Sequence, residues 1–305
     1  APVPEWQTAL RDTSGRQRSV FTETRITNRA TSLPVDRRIV YLVHLTESAQ
    51  HRGLRIEIAT QRRDRDSVWD APKHFPYSID AWCNAPEPVD RPVFRQRWGD
   101  LTMLHWPVDP ALVQPFLPAG TRPDVLDGKT WVGLIPFVMS GVSILGTPPL
   151  PYLSNFAETN VRLYATDDQG RRGVVFRSLE AARLLPVLAA QVSYALPYRW
   201  ARMRVRHGVD TVAYETSRRW PGPRGAGGRI AVRPGAPLGP DLQLEDPLAL
   251  FLTARWGLFS RLPGGRTAWA PVAHDPWPLH RAELLELSDD LVTAAGLPAP
   301  AGDPH

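Results

Sequence analysis

Cysteine is nearly absent from this chain. Cys83 is the single one in 305 residues, so no intrachain disulfide can form and no cysteine cluster can hold a metal. Lysine is almost as scarce: Lys73 and Lys129 are the only two in a total of 36 lysines and arginines. No apolar run approaches the roughly 18 residues of a membrane-spanning helix. The first residues show no basic region followed by an apolar core, so a cytoplasmic protein without membrane association is expected. The Gly-x-Ser-x-Gly elbow, the phosphate loop and the dinucleotide fingerprint are all missing. His105, His274 and His280 are far apart, and no histidine pair has metal-ligand spacing on a helix. Neither a metal nor another cofactor is expected.

What is abundant points to strands and turns. The 32 prolines are about twice ordinary usage, and proline disfavours long helices. Eleven tryptophans are enough for several aromatic anchors in a core. The net charge of +5 suggests an anionic partner, but the arginines are scattered and often sit beside acids, as in Arg62-Arg63-Asp64-Arg65-Asp66. Scattered charge is ordinarily a solvated surface, and no basic stripe or nucleic-acid motif is visible. A small-molecule partner is expected instead of a nucleic acid, with homo-oligomerisation left open.

Residues 1–91 read as a weakly patterned, disordered extension. It ends in the proline-rich linker Ala85–Pro92, which is expected to be extended. Within it only Arg38–Thr46 and Leu54–Gln61 have strand character, and the turn-like Glu47–Gly53 between them suggests that they pair. Residues 92–298 are better organised. Strands are expected over Leu101–Trp106, Trp131–Met139, Val174–Ser178, Arg202–His207 and Thr211–Arg218. Asp109 with Pro110 opens a short helix through Phe116. A helix is expected between Pro186 and Tyr194. The strongest helical pattern follows Glu245-Asp246-Pro247 and covers Leu248–Arg261, with Leu248, Phe251, Leu252, Arg255, Trp256 and Phe259 along one face. Residues 299–305 are expected to fray. The fold class is α+β and β-rich.

The most informative stretch is Phe156–Tyr164, which alternates with period two. As a strand it places Glu158, Asn160, Arg162 and Tyr164 on one face, and Thr159, Val161, Leu163 and Ala165 on the other. An acid, an amide, a guanidinium and a phenol in a row suit a solvated sheet surface or the polar wall of a small-molecule pocket.

Several blocks resemble the YqjF-like family of uncharacterised bacterial proteins. They are Trp98–Val108, Trp131–Val142, Pro148-Pro149-Leu150-Pro151, Phe156–Tyr164, Val174–Glu180, Leu196-Pro197-Tyr198 with Ala201 and Met203, and Asp275–Leu279. They occur in the family's order over roughly residues 92–298. That family is related to acetoacetate decarboxylase, and the resemblance implies a cone-like, partly closed antiparallel β-barrel with a few flanking helices and a central cavity. The decarboxylase forms a lysine Schiff base. The matching segment here, Arg177–Pro186, holds no lysine, and arginine stays protonated and cannot replace it.

The resemblance also puts a pocket glutamate on the segment matching Phe156-Ala157-Glu158. Glu158 is therefore the candidate catalytic acid/base, with Arg177 as its catalytic partner. Asn160, Arg162, Tyr198, His105 and Arg183 are the candidate substrate-binding residues, and a planar guanidinium suits a carboxylate or enolate. The implied function is acid/base chemistry on an oxo acid or β-dicarbonyl compound without a Schiff base. The alternatives are a non-catalytic binding protein for a small organic acid, and a buried Glu–Arg network that only fixes the fold.

Overall fold

In a computed structural model, the backbone of residues 39–43 and 54–58 is described, together with residues 89, 92–149, 154–183, 195–239, 246–275 and 277–305. Fourteen strands form one mixed sheet among them. They are β1 (Ile39–Val43), β2 (Leu54–Ile58), β3 (Phe94–Gly99), β4 (Leu101–Val108), β5 (Thr121–Pro123), β6 (Thr130–Ile144) and β7 (Phe156–Asp167). The rest are β8 (Arg172–Ala181), β9 (Tyr198–His207), β10 (Val212–Trp220), β11 (Gly227–Pro237), β12 (Gly257–Arg261), β13 (Thr267–His274) and β14 (Leu279–Asp289). Three short helices punctuate them: α1 (Pro110–Val113), α2 (Pro247–Thr253) and α3 (Leu291–Ala294).

Caps place the first two helices as their sequences require. The Asp109 carboxylate accepts from the Ala111 N–H, and Asp246 accepts from Leu248 and Ala249, with Pro at the start of each helix. These bonds satisfy donors that a helix start leaves orphaned. The sheet runs β12-β13-β2-β3-β6-β4-β1-β14-β11-β10-β9-β8-β7-β5. A long β6–β7 ladder and a single β12–β8 bridge, Leu258 to Val174, fold it back on itself. The result is curled and not a regular closed barrel. Most pairings are antiparallel; β8–β9 and β8–β12 are parallel.

Strand β7 lies between two apolar layers. Val161, Leu163 and Ala165 pack with Leu104, Trp106, Val132, Leu134, Tyr214 and Ile230 on one side. On the other, Tyr164 packs with Trp131, Phe251 and Leu252, and Phe156 with Phe137, Trp98 and Trp277. The period-two pattern thus separates two buried surfaces, each contributing roughly 1.5–3 kcal/mol per large apolar side chain.

Four expectations change. Residues 39–43 and 54–58 do not pair with each other. β1 lies between β4 and β14, and β2 between β3 and β13, so the sheet begins well before Pro92. The expected helix over Leu248–Arg261 stops at Thr253, and Gly257–Arg261 is strand β12, paired with β13. Tertiary pairing overrides helical periodicity there: a β-carbon on Gly257 would lie 2.1 Å from the Trp269 ring. The tail does not fray. His105 and His305 exchange backbone hydrogen bonds of 2.8 and 2.9 Å, and the Trp106 indole donates to the Gly302 carbonyl. Strands β3, β11, β13 and β14 were not anticipated as such, because their apolar positions are interrupted by Arg, Glu and Pro. The helix expected between Pro186 and Tyr194 lies outside the described residues.

Candidate functional site

The row Glu158, Asn160, Arg162, Tyr164 is buried throughout, with relative exposures of 1%, 0%, 6% and 0%. Successive members stand about 6.6–6.8 Å apart along the strand. Neighbouring strands supply the surroundings through register: Phe137 lies opposite Glu158, Ile135 opposite Asn160, and Gly133 opposite Arg162. His105 on β4 lies opposite Gly133 from the other side. Gly133 is needed because a β-carbon there would sit 2.9 Å from His105 Nε2 and 3.2 Å from Arg162 Cγ. Its missing side chain lets the imidazole and the guanidinium meet over β6.

The hydrogen bonds in this corner fix a proton. Arg162 Nε donates to the Tyr164 hydroxyl at 2.8 Å. The same hydroxyl lies 2.6 Å from His105 Nε2, which accepts its proton in the tautomer protonated at Nδ1. Nδ1 is buried without a partner. Burial, then the charges of Arg162, Arg255 and His305, hold His105 well below the ordinary histidine range, so it is neutral. Burial raises the Tyr164 phenol, against the charges of Arg162 and Arg255.

Glu158 sits in a different environment. Burial raises its pKa from 4.5 to about 8; a hydrogen bond with Tyr198 works against this and the Glu180 charge adds to it. Its Oε2 is buried without a partner. Tyr198, half-buried at the start of β9, is raised well above the ordinary phenol range by burial and then by Glu158. Asn160 is fully buried, and neither its Oδ1 nor its Nδ2 has a partner. Buried amides are nearly always bonded, which makes this one exceptional.

Arg162 donates to Tyr164 and to the Leu252 carbonyl at 3.2 Å. Among the described residues no carboxylate lies within 4.0 Å of it. Next to it, Asp124 serves two cations: Arg172 Nε donates to its Oδ2 at 2.7 Å, and Arg255 donates to the same oxygen. The Arg255 guanidinium lies over Tyr164 and Phe251. Burial and the Arg172 charge lower Arg255 to about 10, against the attraction of Asp124. Arg162, Arg172 and Arg255 thus stand near the Tyr164 end of the row, and Asp124 bonds two of them.

The other candidates fall elsewhere. Arg177 does not meet Glu158. Val161 pairs with Ser178 but Arg162 with Phe176, so Arg177 occupies a β-bulge. Its side chain turns to the opposite layer, donating to the Ala295 carbonyl and lying over Phe116. Arg183 is half-buried just beyond the end of β8. The expected Glu–Arg network exists with other members. Arg218 Nε and Nη2 grip Glu180 at 3.1 and 2.6 Å, both fully buried, on the face where Thr159 meets Thr216. Among the described residues no group of three His, Cys, Asp or Glu could hold a metal ion.

Gly133, Asp124, Arg172 and Arg255 were missed as site residues. Arg255 was visible only as part of a helical face. The need for Gly133 arises from two other strands and leaves no local signature. Tyr164 stood on the correct face, and its alternation with Arg162 was the available signal.

Among solved structures, the chain resembles acetoacetate decarboxylase from Legionella pneumophila, at 12% identity and a TM-score of 0.40, covering 73% of this chain and 100% of that one. It also resembles the enduracididine biosynthesis enzyme MppR complexed with pyruvate, at 13% identity and a TM-score of 0.37, covering 62% and 87%. At such values the likeness assigns no role to any residue. In sequence, the chain is 32% identical over 214 residues to the uncharacterized protein YqjF of Bacillus subtilis strain 168, covering 70% of this chain and 85% of that protein. With residues 95–305 also matching the family described as uncharacterized conserved protein, the chain belongs to that YqjF-like family.

Proposed function

We propose that the buried face of β7 binds a small organic acid, and that Glu158 exchanges a proton with it. The observation that carries this is Arg162, a buried cation with no carboxylate within 4.0 Å among the described residues. An uncompensated buried charge is costly, and a ligand carboxylate would supply the missing counter-charge through a charge-assisted bond. The unpaired Asn160 amide stands one position along the row, suited to a carbonyl oxygen. Glu158 follows, with a carboxyl that titrates at about 8. At pH 7 it is held mostly protonated, an acid within reach of acting as a base near neutrality.

An oxo acid or β-dicarbonyl compound fits these groups. The ionised Glu158 takes a proton from the carbon beside the carbonyl, leaving an enolate whose oxygen accepts a hydrogen bond from Asn160. The protonated Glu158 then returns a proton to that carbon, so the net result is proton exchange without oxidation. It uses no Schiff base: Lys129 is exposed in the turn before β6, and Lys73 lies outside the described residues. Among the described residues no helix is long and apolar enough to cross a membrane, and a cytoplasmic site of action is part of this proposal.

The test is a thermal-shift screen of small oxo acids, followed by hydrogen–deuterium exchange of the hit at the carbon next to its carbonyl. A ligand at a hundred times its Kd adds about 2.7 kcal/mol of stability. Glu158→Gln should still bind the hit but slow exchange about 10²–10⁴-fold, and Arg162→Met should lose binding. Binding without exchange above the uncatalysed rate in the parent would leave a non-catalytic binding protein, and exchange unchanged in Glu158→Gln would remove Glu158 as the base. A hit bound equally well by Arg162→Met would overturn the site.

A further inference from the structure

Arg177 is half-buried on the opposite side of β8 from the Glu158 row, and its position calls for its own explanation. One of its five N–H groups is used on the Ala295 carbonyl, 3.0 Å from Nη2, at the end of α3. Its guanidinium lies 4.5 Å from the centre of the Phe116 ring. The residue after Phe116, Leu117, offers its carbonyl to Arg261 Nη2 at 2.8 Å. Two arginines from different strands, β8 and β12, are therefore anchored on adjacent residues.

A third comes from β9. Arg199 lies opposite Glu180 in the parallel β8–β9 pairing, three positions along β8 from Arg177. Both Glu180 oxygens are held by Arg218, and Glu180 attracts Arg199 only from beyond 4.0 Å. Among the described residues no carboxylate lies within 4.0 Å of Arg177, Arg199 or Arg261. Arg177 Nε and Arg199 Nε are both buried with no hydrogen-bond partner, while Arg261 is exposed at the edge of the group. Burial, with the charges of Arg261 and Arg199, lowers Arg177. Burial, and then Arg218, lowers Arg199, against the attraction of Glu180.

We infer that Arg177, Arg199 and Arg261 form a second site, separate from the β7 row, that binds a small multiply charged oxyanion of the phosphate class. Planar guanidinium forks match tetrahedral oxyanions in shape and charge. Such a ligand would fill the two unused Nε donors and relieve the repulsion among three cations, while Phe116 and the Ala295 carbonyl keep the Arg177 fork in place. A carboxylate on a chain would meet one fork; a phosphate presents enough oxygens for all three.

The probe is inorganic phosphate, titrated calorimetrically into the full chain at low ionic strength. The expected result is saturable binding of one phosphate. Arg177→Gln and Arg199→Gln should each weaken it about 10- to 100-fold, the value of one bond to a charged group. Arg261→Gln, at the exposed edge, gives the same test in a variant whose packing is least disturbed. Arg204→Gln is the control for general attraction to a basic protein, since Arg204 is exposed on β9, and it should bind as the parent does. Absence of saturable binding would overturn the site. So would equal weakening in Arg204→Gln, or unchanged binding in a folded Arg261→Gln. The acid-binding proposal for the β7 row could fail without altering any of these outcomes.

Discussion

Glu158 makes stability depend on pH in a direction opposite to most carboxylates. Its pKa rises from 4.5 to about 8 on folding, through burial. Between those values the folded state keeps a proton that the unfolded chain has released, so stability is fully present below 4.5 and is lost as pH rises through 8. The contribution is on the order of several kcal/mol. His105 works the other way: its folded pKa is depressed, so its contribution is present above 6.5 and fades as pH falls below it. Urea unfolding of Glu158→Gln at pH 5 and pH 8 separates the two. The variant should lose the decline toward pH 8 that the parent shows; an identical slope in both proteins would contradict the raised pKa. The buried arginines also differ from one another. Arg218→Met strands Glu180 and should cost about 3–5 kcal/mol. Arg162→Met strands no carboxylate and should cost much less, as denaturation midpoints at constant m-value will show.

The segment after Asp246 shows how an element's identity can turn on one contact. Its residues repeat with helical spacing as far as Arg261, yet the chain leaves the helix at Ala254. Arg255 Nε then donates to the Phe251 carbonyl, an acceptor the ended helix leaves open. Trp256 stacks on His274 at 4.4 Å, and Gly257 pairs with Pro271 under the Trp269 ring. These alternatives predict opposite effects of one substitution. In a helix, Gly257→Ala would stabilise by about 1 kcal/mol. In β12 the added methyl meets the indole, so the variant should be destabilised by about 1–3 kcal/mol. A thermal melt decides between them. On β7, by contrast, local pattern and tertiary environment agree, because alternation is a property of the strand itself.

At the scale of the whole molecule, the sheet depends on strands far apart in sequence. β1 fills the gap between β4 and β14, and β2 the gap between β3 and β13. A chain beginning at Pro92 lacks both and exposes four strand edges, each a row of unpaired N–H and C=O groups. It should unfold non-cooperatively or aggregate, whereas a chain beginning at Arg37 should keep a single transition in circular dichroism. An unimpaired melt for the shorter chain would restore the boundary near residue 91. At the other end, the His105–His305 pair ties the tail to the strand that carries a site residue, so deleting residues 299–305 should loosen His105 as well as the sheet.

The amino-acid sequence alone determined the β-rich class, the family, the faces of β7 and the caps at Asp109 and Asp246. Each of these depends on neighbours a few residues away or on the order of conserved-looking blocks along the chain. It could not decide which charges are compensated. Glu158, Arg162, Arg177 and Glu180 are alike as letters. The β-bulge turned Arg177 away, β10 brought Arg218 to Glu180, and Gly133 opened the space where His105 reaches Tyr164. Those outcomes required long-range register, and register is set by the packing of the whole sheet. Tertiary structure therefore decided which acid stays neutral and which arginine has no carboxylate beside it among the described residues, because burial and charge pairing exist only once distant strands lie side by side.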